Sequence, residues 1–229
     1  PGSRRTLGTP DGTAHLVVVN TDLAAAEASR AASAAGHEGF SAERPLHGWT
    51  EHAETVARVA RAVGLRGPVA VERTSFGWAT AAALEGLAER FVPLDAELSR
   101  ARMVKTPDEV AALRRCAAVA DVGQVAAREG ARAGRSELEV FAEVRLAMEA
   151  AAGGRVCVTG ELSAGRERAA ALFDWPRNHL LAAGDPVVVD LAPRVAGYWG
   201  DSCNTLVVGG EPDAAQAAVL RAAHAGLET

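Results

Sequence analysis

Two patterns of apolar residues alternate along the first part of the chain. Short apolar runs alternate with stretches in which small or apolar residues return every three or four positions, as in 51–63. The predicted strands are 15–20, 68–72 and 91–94, and the predicted helices are 51–63 and 80–90. Alternating strands and helices are typical of a small α/β layer domain.

The later part of the chain opens with two helix-start signals. Thr106 offers a capping hydroxyl, Pro107 suits the first helical position, and the acids after it face the positive end of the helix dipole. Ser136 with Glu139 predicts a capping box. These helices should run to 129 and 151, and be followed by strands at 155–159, 186–191 and 198–208 and a helix at 213–229. Two helices followed by antiparallel strands predict an α+β domain.

These patterns divide the chain into an N-terminal α/β domain at 1–98, a linker at 99–107 and an α+β domain at 108–229. The sequence begins without Met, and its last predicted helix has no Gly or Pro to end it. We therefore expect a chain that is cut at both ends.

Composition narrows the classes of function. The chain has 229 residues, of which 48% are hydrophobic, enough for a substantial core. Its net charge of −5 and the absence of a Lys/Arg block speak against nucleic acid as a partner. No apolar run approaches the roughly 20 residues of a membrane helix, so we expect a soluble, cytoplasmic protein without a membrane partner. The three cysteines are widely spaced, and we expect them to be reduced and mostly buried.

Two aspartates lie on either side of a turn-rich segment. Asp190 ends the apolar run 187–189, where an ionised carboxylate is costly unless a positive group compensates it. Asp201 lies on the next predicted strand. A symmetric hairpin places the two directly opposite each other, with β-carbons about 5 Å apart. Side-chain alternation then puts Cys203 on the same face as Asp201.

Like charges that face each other destabilise a sheet, and either a shared proton or a bound cation would relieve the repulsion. A divalent ion is the simpler solution, because carboxylates suit ions such as Mn²⁺ and one carboxylate can bridge two ions ~3.5–4 Å apart. Alternatively, each Asp is only a local hydrogen-bond acceptor beside a turn. Cys203 is either a soft extra ligand or, as we favour, a small buried hydrophobe.

Two segments resemble sequences of a known family. GDPVVVDL at 184–191 and GYWGDSCNT at 197–205 are similar to the metal-binding hairpin of the creatinase, prolidase and aminopeptidase P family. RMVKTPDEVAAL at 102–113 resembles the segment through which that family's small N-terminal domain enters its pita-bread catalytic domain. The resemblance implies a creatinase-like α/β domain followed by the first half of an α+β pita-bread domain.

By this resemblance Asp190 binds one divalent ion and Asp201 bridges two, with Mn²⁺ expected and Co²⁺ or Zn²⁺ as alternatives. The family's remaining ligands, one His and two Glu, lie beyond residue 229. Neither His224 nor Glu228 stands in a matching motif. The chain as given should therefore hold an incomplete site and be inactive, and its catalytic residues are unknown.

The candidates for a substrate pocket are Phe173, Tyr198 and Trp199, and for the last two core packing is an equal alternative. The substrate-contacting His of peptidase members would fall near Leu172 and Phe173, with His179 out of register. The Arg that usually precedes the Thr of the hairpin is replaced by Asn204, which cannot imitate a bidentate partner of a carboxylate.

The function implied is hydrolysis of a peptide or amide C–N bond, as in an Xaa-Pro aminopeptidase or dipeptidase, by a bridging water activated by two divalent ions. The substrate would be a small peptide or amide, and a homodimer is expected because family members often form one. Two alternatives stay open: a creatinase-like hydrolase of a small non-peptide substrate, or a non-catalytic pita-bread protein that binds a partner or ligand in the same cleft.

Overall fold

The computed structural model describes three stretches of the chain: residues 5–39, 48–171 and 174–227. The chain divides into two compact units, Pro1–Val104 and Lys105–Thr229. The division falls within the predicted linker, but most of that segment belongs to a helix, Asp95–Met103, because acids at its start and arginines at its end complement the helix dipole. Among the helices of the described stretches, none is long and apolar enough to cross a membrane.

The first unit is the predicted α/β domain. Its elements are β1 (Arg5–Gly8), β2 (Ala14–Val19), a short 3-10 turn (Asn20–Asp22), α1 (Leu23–Glu27), β3 (Ser33–His37), α2 (Gly48–Ala62), β4 (Pro68–Val71), α3 (Trp78–Ala83), β5 (Arg90–Pro93) and α4 (Asp95–Met103). β1 is antiparallel to β2, β2 is parallel to β3, and β4 and β5 form a separate parallel pair. The apolar stripe of α2 packs with Val17 and Leu84 in the core of this unit.

The second unit has the predicted α+β order. Its elements are α5 (Pro107–Gly130), α6 (Glu137–Ala152), β6 (Cys157–Ala164), β7 (Pro186–Val195), β8 (Tyr198–Trp199), β9 (Ser202–Val207) and α7 (Ala214–Leu227). Both capping boxes are present: the hydroxyls of Thr106 and Ser136 accept from the backbone N–H three residues later, at 3.3 and 3.2 Å. α6 ends at Gly153, whose φ of 75° is left-handed.

β7 is the central strand of the sheet in this unit. It pairs antiparallel with β6 on one side and with β8 and β9 on the other. Alternate side chains of β7, namely Val187, Val189 and Leu191, are fully buried in the core that includes residues of α5 and α6. α5 can approach this closely because it carries Gly123, where a Cβ would lie 2.7 Å from a methyl carbon of Leu191. The opposite face of the sheet carries the acids.

Candidate metal centre

Asp190 and Asp201 share one face of the sheet, but they do not lie directly opposite each other. Asp190 pairs with Cys203 on β9, and the same register places Asp201 opposite Ala192, diagonal to Asp190. The prediction of direct opposition was therefore wrong by two residues. A shift of two keeps every side chain on its predicted face, whereas a shift of one would have reversed them.

The turn explains the shifted register. β7 continues to Val195, and the chain reverses in two residues, Ala196 and Gly197, with φ values of 49° and 90°. Two consecutive residues with positive φ are typical of the two-residue turns that fit the twist of a hairpin. The segment 193–197, predicted as a longer connection, is therefore mostly strand.

Three acids lie on this side of the sheet, which we call the acidic face: Glu161, Asp190 and Asp201. Glu161 on β6 is directly opposite Asp190. Burial raises the pKa of Asp190, and the charges of Asp201 and Glu161 raise it further. Within the described residues no cation forms an ion pair with Asp190 or Asp201. Arg194 lies on the same side of β7 as Asp190, but its guanidinium is over the Trp199 ring, and no described residue forms an ion pair with the three acids.

Gln124 on α5 holds the two strands of the hairpin together beside these acids. Its buried amide donates to the carbonyl oxygens of Val189, at 3.1 Å, and Ser202, at 2.7 Å. The first lies next to Asp190 and the second next to Asp201. Gln124 therefore adds a side-chain link to the backbone pairing of β7 with β9 beside the two carboxylates, and sequence reasoning missed it.

Two glycines allow close backbone approach at the same place. A Cβ on Gly160 of β6 would overlap the carbonyl oxygen of Asp190, so a larger residue would push β6 away from the site. A Cβ on Gly200 would lie 2.7 Å from the carbonyl oxygen of Cys116 on α5. The hairpin can rest against α5 only because position 200 has no side chain.

The pocket candidates occupy different faces. Trp199 is 46% exposed, lies on the same face as Asp201 by alternation, and has the guanidinium of Arg194 5.7 Å from its ring centroid. Tyr198 lies on the opposite face, packs against the core and donates its hydroxyl to Glu109 at 3.3 Å. We therefore leave Tyr198 out of the proposed pocket.

The remaining predictions on this region have mixed outcomes. Phe173, like Leu172, lies outside the described residues. His179 is exposed. Cys116 is buried, but Cys157 and Cys203 are exposed, so the expectation of mostly buried cysteines was wrong. Cys203 lies on β9, opposite Asp190.

A second group of acids joins α6 to the loop between β6 and β7. Glu137 is fully buried, forms an ion pair with Arg168, and accepts from the backbone N–H of Ala164 at 2.7 Å and of Arg177 at 2.9 Å. Asp174 accepts from Arg168 at 2.8 Å and from Arg177 at 2.6 Å. Burial opposes its ionisation, but these arginines hold the pKa of Asp174 below its ordinary value.

The donor chemistry of the acidic face fits a divalent cation, since carboxylate oxygens are preferred by such ions. In the part of the chain that the structure describes, no group of three or more His, Cys, Asp or Glu side chains is gathered closely enough to hold a metal ion. Asp190 and Asp201 can therefore supply only part of a ligand set.

Solved structures of similar shape identify the class of fold. An Xaa-Pro dipeptidase from Bacillus anthracis has a TM-score of 0.72 at 20% identity, over 93% of this chain and 56% of that one. A prolidase from Pyrococcus furiosus has a TM-score of 0.69 at 21% identity, over 90% and 56%. Dipeptidase PepE from Mycobacterium ulcerans has a TM-score of 0.62 at 24% identity, over 89% and 53%.

The protein thus has an α/β domain followed by the first part of a pita-bread domain, and it spans about half the length of the solved structures it matches. The sequence profile of metallopeptidase family M24 matches residues 111–229, which include the whole hairpin. The chain belongs to metallopeptidase family M24, as the resemblance predicted. No curated protein matches it.

Proposed function

We propose that the protein is a divalent-metal-dependent hydrolase of a peptide or amide C–N bond, of the Xaa-Pro dipeptidase or aminopeptidase type. Asp190 and Asp201 would be two of its metal ligands. One observation carries the proposal: two carboxylates of the family-matched hairpin share a face and lack a cationic partner among the described residues. The names of the solved structures with this fold, a prolidase and an Xaa-Pro dipeptidase, support a peptide substrate.

In this proposal the hairpin and two residues that pack against it have separate roles. Asp190 and Asp201 present carboxylate oxygens on one face, and Gln124 keeps their strands in register through its two hydrogen bonds. Gly160 lets β6 close against the backbone of Asp190. Two divalent ions, which we propose to be Mn²⁺, would supply Lewis acidity and lower the pKa of a bound water. The homodimer stays a prediction.

The first test measures bound metal in the full natural protein, in Asp201→Ala and in the control Glu211→Gln. Glu211 is exposed and lies beyond β9, so its loss removes a charge of the same type away from the acidic face. We expect the wild type and the control to bind Mn²⁺ and Asp201→Ala to lose most of it. If the wild type binds no more metal than Asp201→Ala, the proposal is wrong.

The second test screens the Mn²⁺-loaded protein against Xaa-Pro peptides and small amides. Hydrolysis of the peptides that is lost in Asp201→Ala supports the proposal. Hydrolysis of a small amide alone would identify the creatinase-like alternative. Metal binding without hydrolysis of either kind would identify a non-catalytic protein that binds a ligand in the same cleft.

A further inference from the structure

Cys116 on α5 is a buried thiol to which the proposed function assigns no role. It is fully buried, whereas Cys157 and Cys203 are exposed. Its Sγ lies 3.2 Å from the carbonyl oxygen of Tyr198 and 3.6 Å from that of Val195, the two residues that flank the turn of the hairpin. The thiol can donate its single proton to either oxygen. Cys116 is thus a hydrogen-bond donor at the tip of the hairpin that carries the two aspartates.

The backbone of Cys116 contacts the same part of the hairpin. Its carbonyl oxygen lies against Gly200, where a Cβ would be only 2.7 Å away. Gly200 directly precedes Asp201 in the chain. Cys116 therefore holds the hairpin on both sides of β8, through its thiol at the turn and through its carbonyl at the residue next to Asp201.

Asp201 lies where the hydrogen bonding of the sheet is interrupted. β8 ends at Trp199 and β9 begins at Ser202, so Gly200 and Asp201 belong to neither strand. The register on either side places Gly200 opposite Pro193. The N–H of Gly200 donates to the carbonyl oxygen of Pro193 at 2.8 Å, but Pro193 has no N–H with which to return the bond. The pair next to Asp201 therefore keeps one of the two hydrogen bonds that such a pair normally exchanges.

Asp190 differs from Asp201 in this respect. It lies within β7 and is paired on both sides, with β6 and with β9, so the sheet itself holds its backbone. The backbone of Asp201 depends more on what its neighbours contact, and Gly200 contacts Cys116. A weaker contact between the tip and α5 should therefore displace Asp201 before it displaces Asp190.

We propose that Cys116 is a positioning residue for the carboxylate of Asp201. The inference rests on the proposed function, in which Asp201 bridges two divalent ions and must be placed to reach both. Cys116 belongs to the core on the opposite face of the sheet from the aspartates. It therefore acts through the backbone of the tip and not by contact with the ions.

The experiment uses the full natural protein and compares wild type, Cys116→Ala, Cys116→Ser and the control Val140→Ala. Val140 is fully buried in the same core, but it lies on α6 beside Gly130, at the far end of α5 from the tip. Its truncation therefore weakens core packing without removing a contact to the hairpin. Calorimetry measures the dissociation constant of Mn²⁺ at a temperature at which all four proteins are folded.

We expect Cys116→Ala to weaken Mn²⁺ binding by about 3–10-fold, which corresponds to the loss of one hydrogen bond. Cys116→Ser keeps a donor at this position, so its affinity should lie within about twofold of the wild type. Val140→Ala should bind Mn²⁺ as the wild type does. A purely structural role of Cys116 would give Cys116→Ala and Val140→Ala the same affinity.

A second measurement does not need the metal. In the metal-free protein, hydrogen exchange followed by NMR reports how often the N–H of Gly200 leaves the carbonyl oxygen of Pro193. We expect Cys116→Ala to exchange this amide about 3–10-fold faster than the wild type, because the tip is held less firmly. Cys116→Ser and Val140→Ala should leave its rate unchanged.

The inference is overturned if Cys116→Ala binds Mn²⁺ as tightly as the wild type, if Val140→Ala shares its loss of affinity, or if Cys116→Ser does not recover it. If the wild type binds no Mn²⁺, the proposed function fails on its own, and the amide of Gly200 then decides on Cys116. Faster exchange in Cys116→Ala alone supports its positioning role. Equal rates in all four proteins, or a rise that Val140→Ala shares, contradict it.

Discussion

The second unit contains two groups of acids that adjoin the same strand, β6, and that differ in whether they have ion-pair partners. Between α6 and the β6–β7 loop, Glu137 is paired with Arg168 and backbone N–H groups, and Asp174 is paired with Arg168 and Arg177. On the acidic face, Asp190 and Glu161 have no such partner among the described residues. The pKa of Asp174 is lowered, whereas that of Asp190 is raised.

This difference distinguishes acids that stabilise the fold from acids that are available for binding. A carboxylate whose pKa is lowered stabilises the folded state when it is ionised, and one whose pKa is raised destabilises it. Asp174 and Glu161 are both buried, at 8% and 9% exposure, but only Asp174 has ion-pair partners among the described residues. Burial alone therefore does not tell the two groups apart.

The largest expected effect comes from removing Glu137, the buried acid that pairs with Arg168. Glu137→Ala should lower the free energy of unfolding by about 3–5 kcal/mol, because it leaves Arg168 as a partly buried charge without one of its two partners. Glu143→Ala is the control, since Glu143 pairs with Arg135 at 2.7 Å with about half of its side chain exposed, and should cost no more than about 1 kcal/mol. Urea unfolding measures both. If both variants lose the same free energy of unfolding, the burial of the Glu137–Arg168 pair does not add to stability.

The next effect concerns the two hydrogen bonds by which Gln124 joins β7 to β9, which we call the Gln124 clamp. Gln124→Ala leaves two carbonyl oxygens without their donor and should cost about 1–3 kcal/mol. Because the clamp positions Asp190 and Asp201, Mn²⁺ affinity should also fall by about 10–100-fold. The exposed neighbour Val125, changed to Ala, should alter stability by less than about 0.5 kcal/mol and leave metal affinity unchanged. Unchanged metal affinity in Gln124→Ala would restrict the clamp to a role in stability.

A smaller effect of opposite sign is expected on the acidic face. In the metal-free protein, Asp190→Asn should raise the free energy of unfolding by up to about 1 kcal/mol, because it removes repulsion from Asp201 and Glu161. The same variant should lose the rise in melting temperature that Mn²⁺ gives to the wild type. A loss of stability in the metal-free Asp190→Asn protein would mean that the carboxylate already has a favourable partner.

The smallest effect is a dependence on pH. The folded pKa of Asp174 lies below its ordinary value of 3.8, so its contribution to stability is fully present above that value and is lost as the pH falls through the folded pKa. The difference in unfolding free energy between wild type and Asp174→Asn should therefore be constant near neutral pH and shrink below about pH 4. Urea titrations from pH 7 to pH 3 measure it. A difference that does not change with pH would exclude an ionic role for Asp174.

Local signals made part of this structure predictable from the sequence. The starts of α5 and α6 depend on Thr106 and Ser136 and on acids three residues later, so the capping boxes could be predicted without tertiary information. The faces of Asp190 and Asp201 followed from alternation, which tolerates a register error of two.

Other parts depend on contacts between distant segments. The register was missed because the turn uses Ala196 with positive φ, and alanine rarely signals that conformation. Glu161 was missed because β6 was expected to end at 159, before Gly160. That glycine marks a close approach to Asp190 and not the end of a strand. Gln124 is one polar residue in a stripe of small ones on α5, and its two acceptors are more than 60 positions away, at 189 and 202.

The clamp at Gln124 has a further consequence for how this hairpin can change. It ties β9 to β7 below the tip, and Gly200 rests on α5 at the same level, whereas Ala196 and Gly197 lie beyond both contacts. The length of the tip is therefore uncoupled from the spacing of the two aspartates. Residues inserted between Ala196 and Gly197 would lengthen the hairpin at its tip. We therefore expect this turn to tolerate an insertion or a peptide tag without a change in the distance between Asp190 and Asp201.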